Sequence, residues 1–176
     1  MRRVETRRTL AEGRFVRLVA ANGWEWVERV NASGAVVLVA VTENAELLLV
    51  EQFRIPLGRR VIELPAGLVG DASGREREDP AEAARRELLE ETGYQADSLE
   101  FLLDGPSSAG LAAEVYALFL ARNVRRAASG GGDGSEDIQV HRVPLGEVEA
   151  WLDVKRQSGV MVDPKVYAGL YFAERR

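Results

Sequence analysis

The run Arg86-Glu87-Leu88-Leu89-Glu90-Glu91-Thr92-Gly93-Tyr94 crowds three carboxylates onto one side of a single short helix. At helical spacing Glu87, Glu90 and Glu91 stand at i, i+3 and i+4, so their side chains project from neighbouring points on one face. Acidic residues on a helix commonly form only a solvated face. Like charges this close also weaken a helix by roughly a few tenths of a kcal/mol per pair. A compact divalent cation among the oxygens removes that repulsion, and Mg²⁺ favours such oxygen ligands together with substrate phosphates. The flanking residues frame the helix independently. Asp79 is a good N-cap, Pro80 suits the first helical position, Glu82 completes a capping-box pattern, and Gly93 ends the element as a left-handed cap. Ala81, Ala84 and Leu88 form an apolar stripe that can pack on a sheet, which places the acids on a rigid support.

Glu78 precedes Arg86 with seven residues between them, and Arg86, Glu87, Leu88, Glu90, Glu91 and Gly93 follow in a set spacing. The segment resembles the Nudix box, G-x5-E-x7-R-E-U-x-E-E-x-G-U, where U is a bulky apolar residue. Three departures stand out. The position that leaves five residues before Glu78 is Ala72, so Gly67 is read as the box glycine and the stretch Val69 to Arg77 as carrying an insertion. Tyr94 replaces the usual aliphatic residue.

The resemblance extends along most of the chain, towards the branch that cleaves ADP-ribose and related nucleoside diphosphate sugars. Besides the box it rests on Leu64-Pro65-Ala66-Gly67-Leu68, on the Q-F-R-x-P-L-G run from Gln52 to Gly58, and on Val162-Asp163-Pro164-Lys165-Val166-Tyr167-Ala168. It implies Glu87, Glu90, Glu91 and the carbonyl of Ala66 as metal ligands, with Mg²⁺ as the cation and Mn²⁺ as a substitute. Arg86 would orient the acidic cluster, with Glu78 in the same network, and Glu90 would share in catalysis. Glu136 falls where that branch carries a loop glutamate that acts as base or additional ligand. Gly67, Leu68, Arg29 and Arg54 would contact substrate. Phe15 and Trp24 match aromatic residues that, in a two-fold dimer, sandwich the base from both subunits, with Glu25 on its edge. From spacing alone, Phe15, Trp24 and Trp26 would simply pack a hairpin against the core.

The implied reaction is Mg²⁺-dependent hydrolysis of the diphosphate of ADP-ribose to AMP and ribose 5-phosphate. Ala109 stands about where ADP-ribose enzymes often carry a proline, which keeps GDP-mannose or another nucleotide sugar open. A noncatalytic nucleotide-sugar sensor is a further alternative.

The implied architecture is an α+β fold, an α/β/α sandwich with a mixed sheet between helices. Residues 1–34 are expected as antiparallel strands used in dimerisation and base binding, and residues 35–176 as the hydrolase domain. The strand pattern agrees. Arg14 to Val19 and Glu25 to Val30 flank Asn22-Gly23, a hairpin pair. Ala35 to Thr42 and Leu47 to Gln52 flank the turn Glu43-Asn44-Ala45, and further strands are expected at Val61 to Glu63, Leu99 to Leu103 and Val115 to Ala121. Helices are expected from near Leu145 and, behind Asp163, from near Pro164. The glycine-rich stretch Ala128 to Ser135 reads as a flexible surface linker.

At 176 residues, 46% hydrophobic and 29% charged, the chain suits one core. A net charge of −5 argues against a nucleic-acid partner bound through a basic surface. With no cysteine, disulfides, thiolate zinc sites and the cysteine-dependent isomerases of the same fold are excluded. His141, the one histidine, sits in a strand pattern and is expected to be structural, which disfavours a serine-histidine-acid triad. No long apolar span or leader pattern appears, so no membrane partner and a cytoplasmic location are expected.

Overall fold

The computed structural model describes residues 6–71, 74–132 and 137–175. Among these the chain forms a three-stranded sheet, a nine-stranded mixed sheet and three α-helices.

The small sheet comes first, with β1 (Arg8–Glu12), β2 (Val16–Ala21) and β3 (Trp24–Arg29) in antiparallel order. Asn22 and Gly23 adopt φ of 52° and 78°, the two positive angles that a tight hairpin requires. The large sheet follows with β4 (Gly34–Thr42), β5 (Glu46–Arg54), β6 (Arg59–Glu63) and β7 (Ala66–Val69). It is completed by β8 (Tyr94–Gln95), β9 (Glu100–Pro106), β10 (Val115–Arg126), β11 (Ile138–Pro144) and β12 (Met161–Val162). Its spine runs β12-β6-β5-β4-β10-β8, with β10 parallel to β4, β12 parallel to β6 and the other pairs antiparallel.

Strand alternation sorts the core into two layers. Val37, Val39 and Val41 of β4, with Leu118 and Leu120 of β10, face one side. There they meet Val148 and Leu152 of α2 (Val148–Gln157) and Val166 and Leu170 of α3 (Lys165–Arg175). Val36, Leu38 and Ala40, with Phe119 and Ala121, face the other side and pack on Ala83 and Ala84 of α1 (Pro80–Glu87). A sheet buried on both faces explains the near-continuous apolar runs of β4 and β5, each such Val or Leu contributing roughly 1.5–3 kcal/mol of burial. The result is an α/β/α sandwich.

The acidic run does not form one α-helix. The α-helix ends at Glu87, and Leu88–Thr92 continue as a π-helical turn before Gly93, at φ 76°, stops it. Thr92 holds the widened turn by donating its hydroxyl to Leu88 O and accepting from Tyr94 N with the same Oγ1. Such turns occur mostly as single interruptions, frequently at functional sites. At the other end the Asp79 carboxylate accepts from Ala81 N at 2.8 Å, as an N-cap should.

Candidate active site

Arg86 is the hub of the acidic region. Its Nε and Nη2 grip both oxygens of Glu78 at 3.0 Å, and Nη1 donates to Glu87 at 2.6 Å and Glu90 at 3.1 Å. Nη2 also reaches the carbonyl of Leu68 on β7 at 3.0 Å. The guanidinium fork thus fixes helix to strand and carboxylate to carboxylate at once. Glu78 in turn accepts from Gly70 N at 3.3 Å, which draws together the two ends of the inserted stretch. The hydrogen bonds from Arg86 outweigh burial and hold the Glu78 carboxyl below its ordinary range, while Arg86 itself is driven further towards its charged form.

Glu87 behaves differently. Burial pushes its pKa up to about 7 against the opposing pull of Arg86, and the neighbouring charges of Glu90 and Asp71 add to the rise. Its position depends on Gly67, where a Cβ would stand 1.9 Å from Glu87 Cδ. Only glycine lets the helix carboxylate approach β7 so closely, which agrees with the reading of Gly67 as the box glycine. Glu91 is 4% exposed and accepts from Ala66 N at 3.0 Å. Among the described residues, no three acidic or histidine side chains already enclose a metal-sized point. Glu90 is turned onto Arg86 with its side chain 43% exposed.

A cavity of about 400 Å³ opens in front of these groups. Ala66, Gly67 and Leu68 line it, with Asp71, Glu87 and Glu91 on the acidic side. The opposite wall carries ion pairs, Arg29 with Glu114 and Arg54 with Glu63, the latter at 2.6 Å. Lys165 pairs with Asp163 and lies 5.8 Å from the centre of the Tyr116 ring. Six carboxylates, Glu63, Asp71, Glu87, Glu91, Glu114 and Asp163, therefore face three cations, Arg29, Arg54 and Lys165. Glu63, Glu114 and Asp163 are paired with these three cations and Glu87 with Arg86, so among the described residues the lining offers a diphosphate no uncommitted cation and added positive charge favours its binding. The donor set, carboxylate oxygens beside the backbone of Ala66, fits a divalent cation of the Mg²⁺ type.

The structure brings Arg29, Arg54, Ala66, Gly67, Leu68, Glu87 and Glu91 to this cavity and leaves other expected residues outside its lining. Phe15 and Trp24 are 53% and 64% exposed, and Glu25 is exposed on the same hairpin. Trp24 and Trp26 instead line a separate recess with Ala109, Gly110 and Ala112. There the hairpin is tied to the 107–113 loop by Val27 N to Leu111 O at 2.8 Å and Ala113 N to Val27 O at 3.0 Å. Glu136 lies outside the described residues. His141 is structural, with Nε2 2.9 Å from Glu51 and its ring against Trp151.

Sequence reasoning did not single out Glu63, Glu114, Tyr116 and Lys165 as cavity residues. The runs around Gln52 and Lys165 were distinctive, but which of their side chains turn inward is a matter of register and tertiary contact.

The model of the NUDIX domain matches residues 32–163. The chain is 34% identical over 130 residues to the methanol dehydrogenase activator of Bacillus methanolicus, covering 73% of this chain and 68% of that protein. It is 40% identical over 97 residues to the ADP-ribose pyrophosphatase of Bacillus subtilis (strain 168), covering 55% of this chain and 50% of the relative. A GDP-mannose pyrophosphatase from Cronobacter sakazakii is 34% identical over 142 residues, with 76% and 69% covered. In fold, the crystal structure of an ADP compounds hydrolase superposes with a TM-score of 0.71 at 20% identity, over 98% of this chain and 91% of that one. The chain belongs to the Nudix family, and it is a Nudix hydrolase.

Proposed function

We propose that this hydrolase cleaves the diphosphate linkage of a nucleoside diphosphate sugar in a Mg²⁺-dependent reaction, with ADP-ribose giving AMP and ribose 5-phosphate. The observation that carries this reading is the charge imbalance of the cavity, six carboxylates against three cations, on a lining that also presents two arginine forks. A pocket built that way favours a diphosphate accompanied by a cation. Glu87, Glu90, Glu91 and the Ala66 carbonyl are the groups to hold it. Once bound, a divalent ion neutralises diphosphate oxygens and makes an attacking water more acidic.

The chain's own residues supply the remainder. Arg86 keeps Glu87 and Glu90 oriented towards one another. Arg29 and Arg54, already steered by Glu114 and Glu63, offer planar donors to the diphosphate or its sugars. Glu136 or a glutamate of the acidic run takes the proton of the water. Phe15 and Trp24 bracket the base from two copies of the chain in a homodimer, with Glu25 on the base edge; flat apolar rings bury the faces of a purine and leave its edge for hydrogen bonds. Their exposure in one chain supports that role.

GDP-mannose is the second reading, favoured by Ala109 in the loop beside Trp24 and by the GDP-mannose pyrophosphatases among the relatives. The test is incubation of the purified protein with a panel of nucleotide sugars, with and without Mg²⁺, and identification of products. AMP with ribose 5-phosphate supports the first reading and GMP from GDP-mannose the second. Binding of either compound without turnover would instead make the protein a sensor.

A further inference from the structure

The glycine run after β10 is strapped across the end of the acidic helix. Gly131 N donates to Glu91 O at 2.8 Å and Gly132 N donates to Glu90 O at 3.0 Å. A helix leaves its last carbonyls without intrahelical partners. Here Gly93 N takes the carbonyl of Leu89, and the strap takes the next two, those of Glu90, whose carboxylate is turned onto Arg86, and of Glu91, which lines the cavity. Ala127 N and Ala128 N both donate to Gly93 O at 2.8 and 2.9 Å, which seats the strap on the cap. The reading of this stretch as a free linker therefore fails as far as Gly132.

The strap demands glycine for two separate reasons. Gly130, Gly131 and Gly132 have φ of 72°, 105° and 87°, a succession that L side chains rarely adopt. At Gly130 a Cβ would also stand 2.4 Å from the carbonyl carbon of Thr92 and 2.6 Å from Gly93 N, both backbone atoms that cannot step aside. Gly93 is fitted from the other side, its Cβ position 2.4 Å from Ala128 O. Two backbones thus interlock at van der Waals distance, and the interlock sets where Glu90 and Glu91 begin.

We infer that Gly130, Gly131 and Gly132 are positioning residues for the cation site: by capping the carbonyls of Glu90 and Glu91 from a distant strand, they fix the backbone from which both carboxylates reach. This rests on the assignment of Glu90 and Glu91 as cation ligands in the preceding subsection. Groups that orient ligands without touching the ion typically change metal affinity by about 10–100-fold when lost.

The test is a Mn²⁺ titration of the full chain followed by the EPR signal of the free ion, for the wild type, Glu91→Gln, Gly130→Ala and Gly131→Ala. Leu152→Ala serves as a control, destabilised in the far layer of the core. Gly130→Ala is expected to weaken Mn²⁺ binding about tenfold, and Gly131→Ala, where only the backbone angle is strained, about threefold. Leu152→Ala should leave binding unchanged although it lowers the melting temperature. At saturating Mn²⁺, KM for ADP-ribose should stay within about twofold in the glycine variants, because the cavity walls are intact. Should Gly130→Ala not fold, Gly131→Ala decides. Wild-type-like Mn²⁺ affinity in the folded glycine variants, alongside its loss in Glu91→Gln, overturns this inference alone. Wild-type-like affinity in Glu91→Gln overturns the ligand assignment beneath it.

Discussion

The acidic end of α1 and the N-terminal sheet are opposite kinds of construction. Around Arg86 nearly every polar group is matched within one chain: Glu78, Glu87, Glu90 and the Leu68 carbonyl share one guanidinium, and glycines at 67, 93 and 130 allow backbone and carboxylate to approach at contact distance. In the N-terminal sheet every residue of β1 is exposed, and Leu10, Phe15, Val16 and Trp24 present apolar surface to solvent. Folding of one chain therefore completes the first region and leaves apolar rings of the second exposed. In the proposed function their partner is substrate together with a second copy.

The sharpest way to separate the two regions is to remove charge from one and ring area from the other. Glu91→Gln is expected to lower turnover of ADP-ribose by about 10³-fold or more while the thermal transition stays close to that of the wild type, since the amide keeps the size of the side chain. Turnover within a factor of ten of the wild type would erase the distinction.

Arg86→Met comes next. Three carboxylates lose their common partner in a half-buried setting, and breaking such a pair by removing one member costs about 3–5 kcal/mol, a value that partial exposure here reduces. Urea unfolding reads the loss, and millimolar Mg²⁺ should recover part of it by supplying the missing positive charge. An Arg86→Met chain as stable as the wild type would mean that the network is decorative.

Trp24→Ala and Phe15→Ala should behave in the reverse manner. Stability measured at low protein concentration should change by less than about 1 kcal/mol, because the rings are exposed in the single chain. KM for ADP-ribose should rise about tenfold with kcat little altered, and the sedimentation coefficient should shift towards that of a monomer. A large fall in melting temperature with unchanged KM would show that the rings are core of the chain after all.

The smallest effect concerns a region that belongs to neither. Glu51 is 4% exposed and receives Arg60, Lys155 and His141. Burial alone would raise its pKa, but the hydrogen bonds from Lys155 and His141 lead the groups that outweigh it and leave the pKa below 4.5. The unfolded chain then binds the proton more readily, so this stabilisation is complete above about pH 4.5 and fades as the pH drops through the folded value. Glu51→Gln should flatten the acid side of the stability profile, followed by denaturant titration from pH 6 to pH 3, without moving the pH dependence of turnover. An unchanged acid limb would remove Glu51 from the account of acid stability.

How far the sequence revealed this molecule follows the same division. The long apolar strands β4, β5 and β10 were legible because two buried faces leave little room for polar residues, and the helical segment that α1 begins was legible from Asp79, Pro80 and Gly93. β1 was not, because its residues are all exposed and carry no apolar pattern, and two-residue β8 and β12 exist only through their neighbours. The π turn had no signal, since Leu88 to Thr92 suit an α-helix equally well and the choice lies with tertiary contacts. Of the candidate site, the acidic residues followed from spacing, and Arg86 from the resemblance to the Nudix box. The facing wall of Glu63, Glu114, Tyr116 and Lys165 is drawn from separated segments and became visible only in three dimensions. The glycine strap was hidden by its own composition, because glycines chosen for positive φ look the same in sequence as glycines chosen for freedom.

In the proposed function the acidic run at the end of α1 and in the π turn after it takes a divalent cation in order to cleave a diphosphate. The most direct measurement is release of AMP from ADP-ribose by the wild type and by Glu91→Gln, each with Mg²⁺ and with EDTA. Rapid release by the wild type with Mg²⁺, and near-background release in the other three reactions, is the predicted result. Release that persists in EDTA, or that Glu91→Gln retains in full, contradicts it.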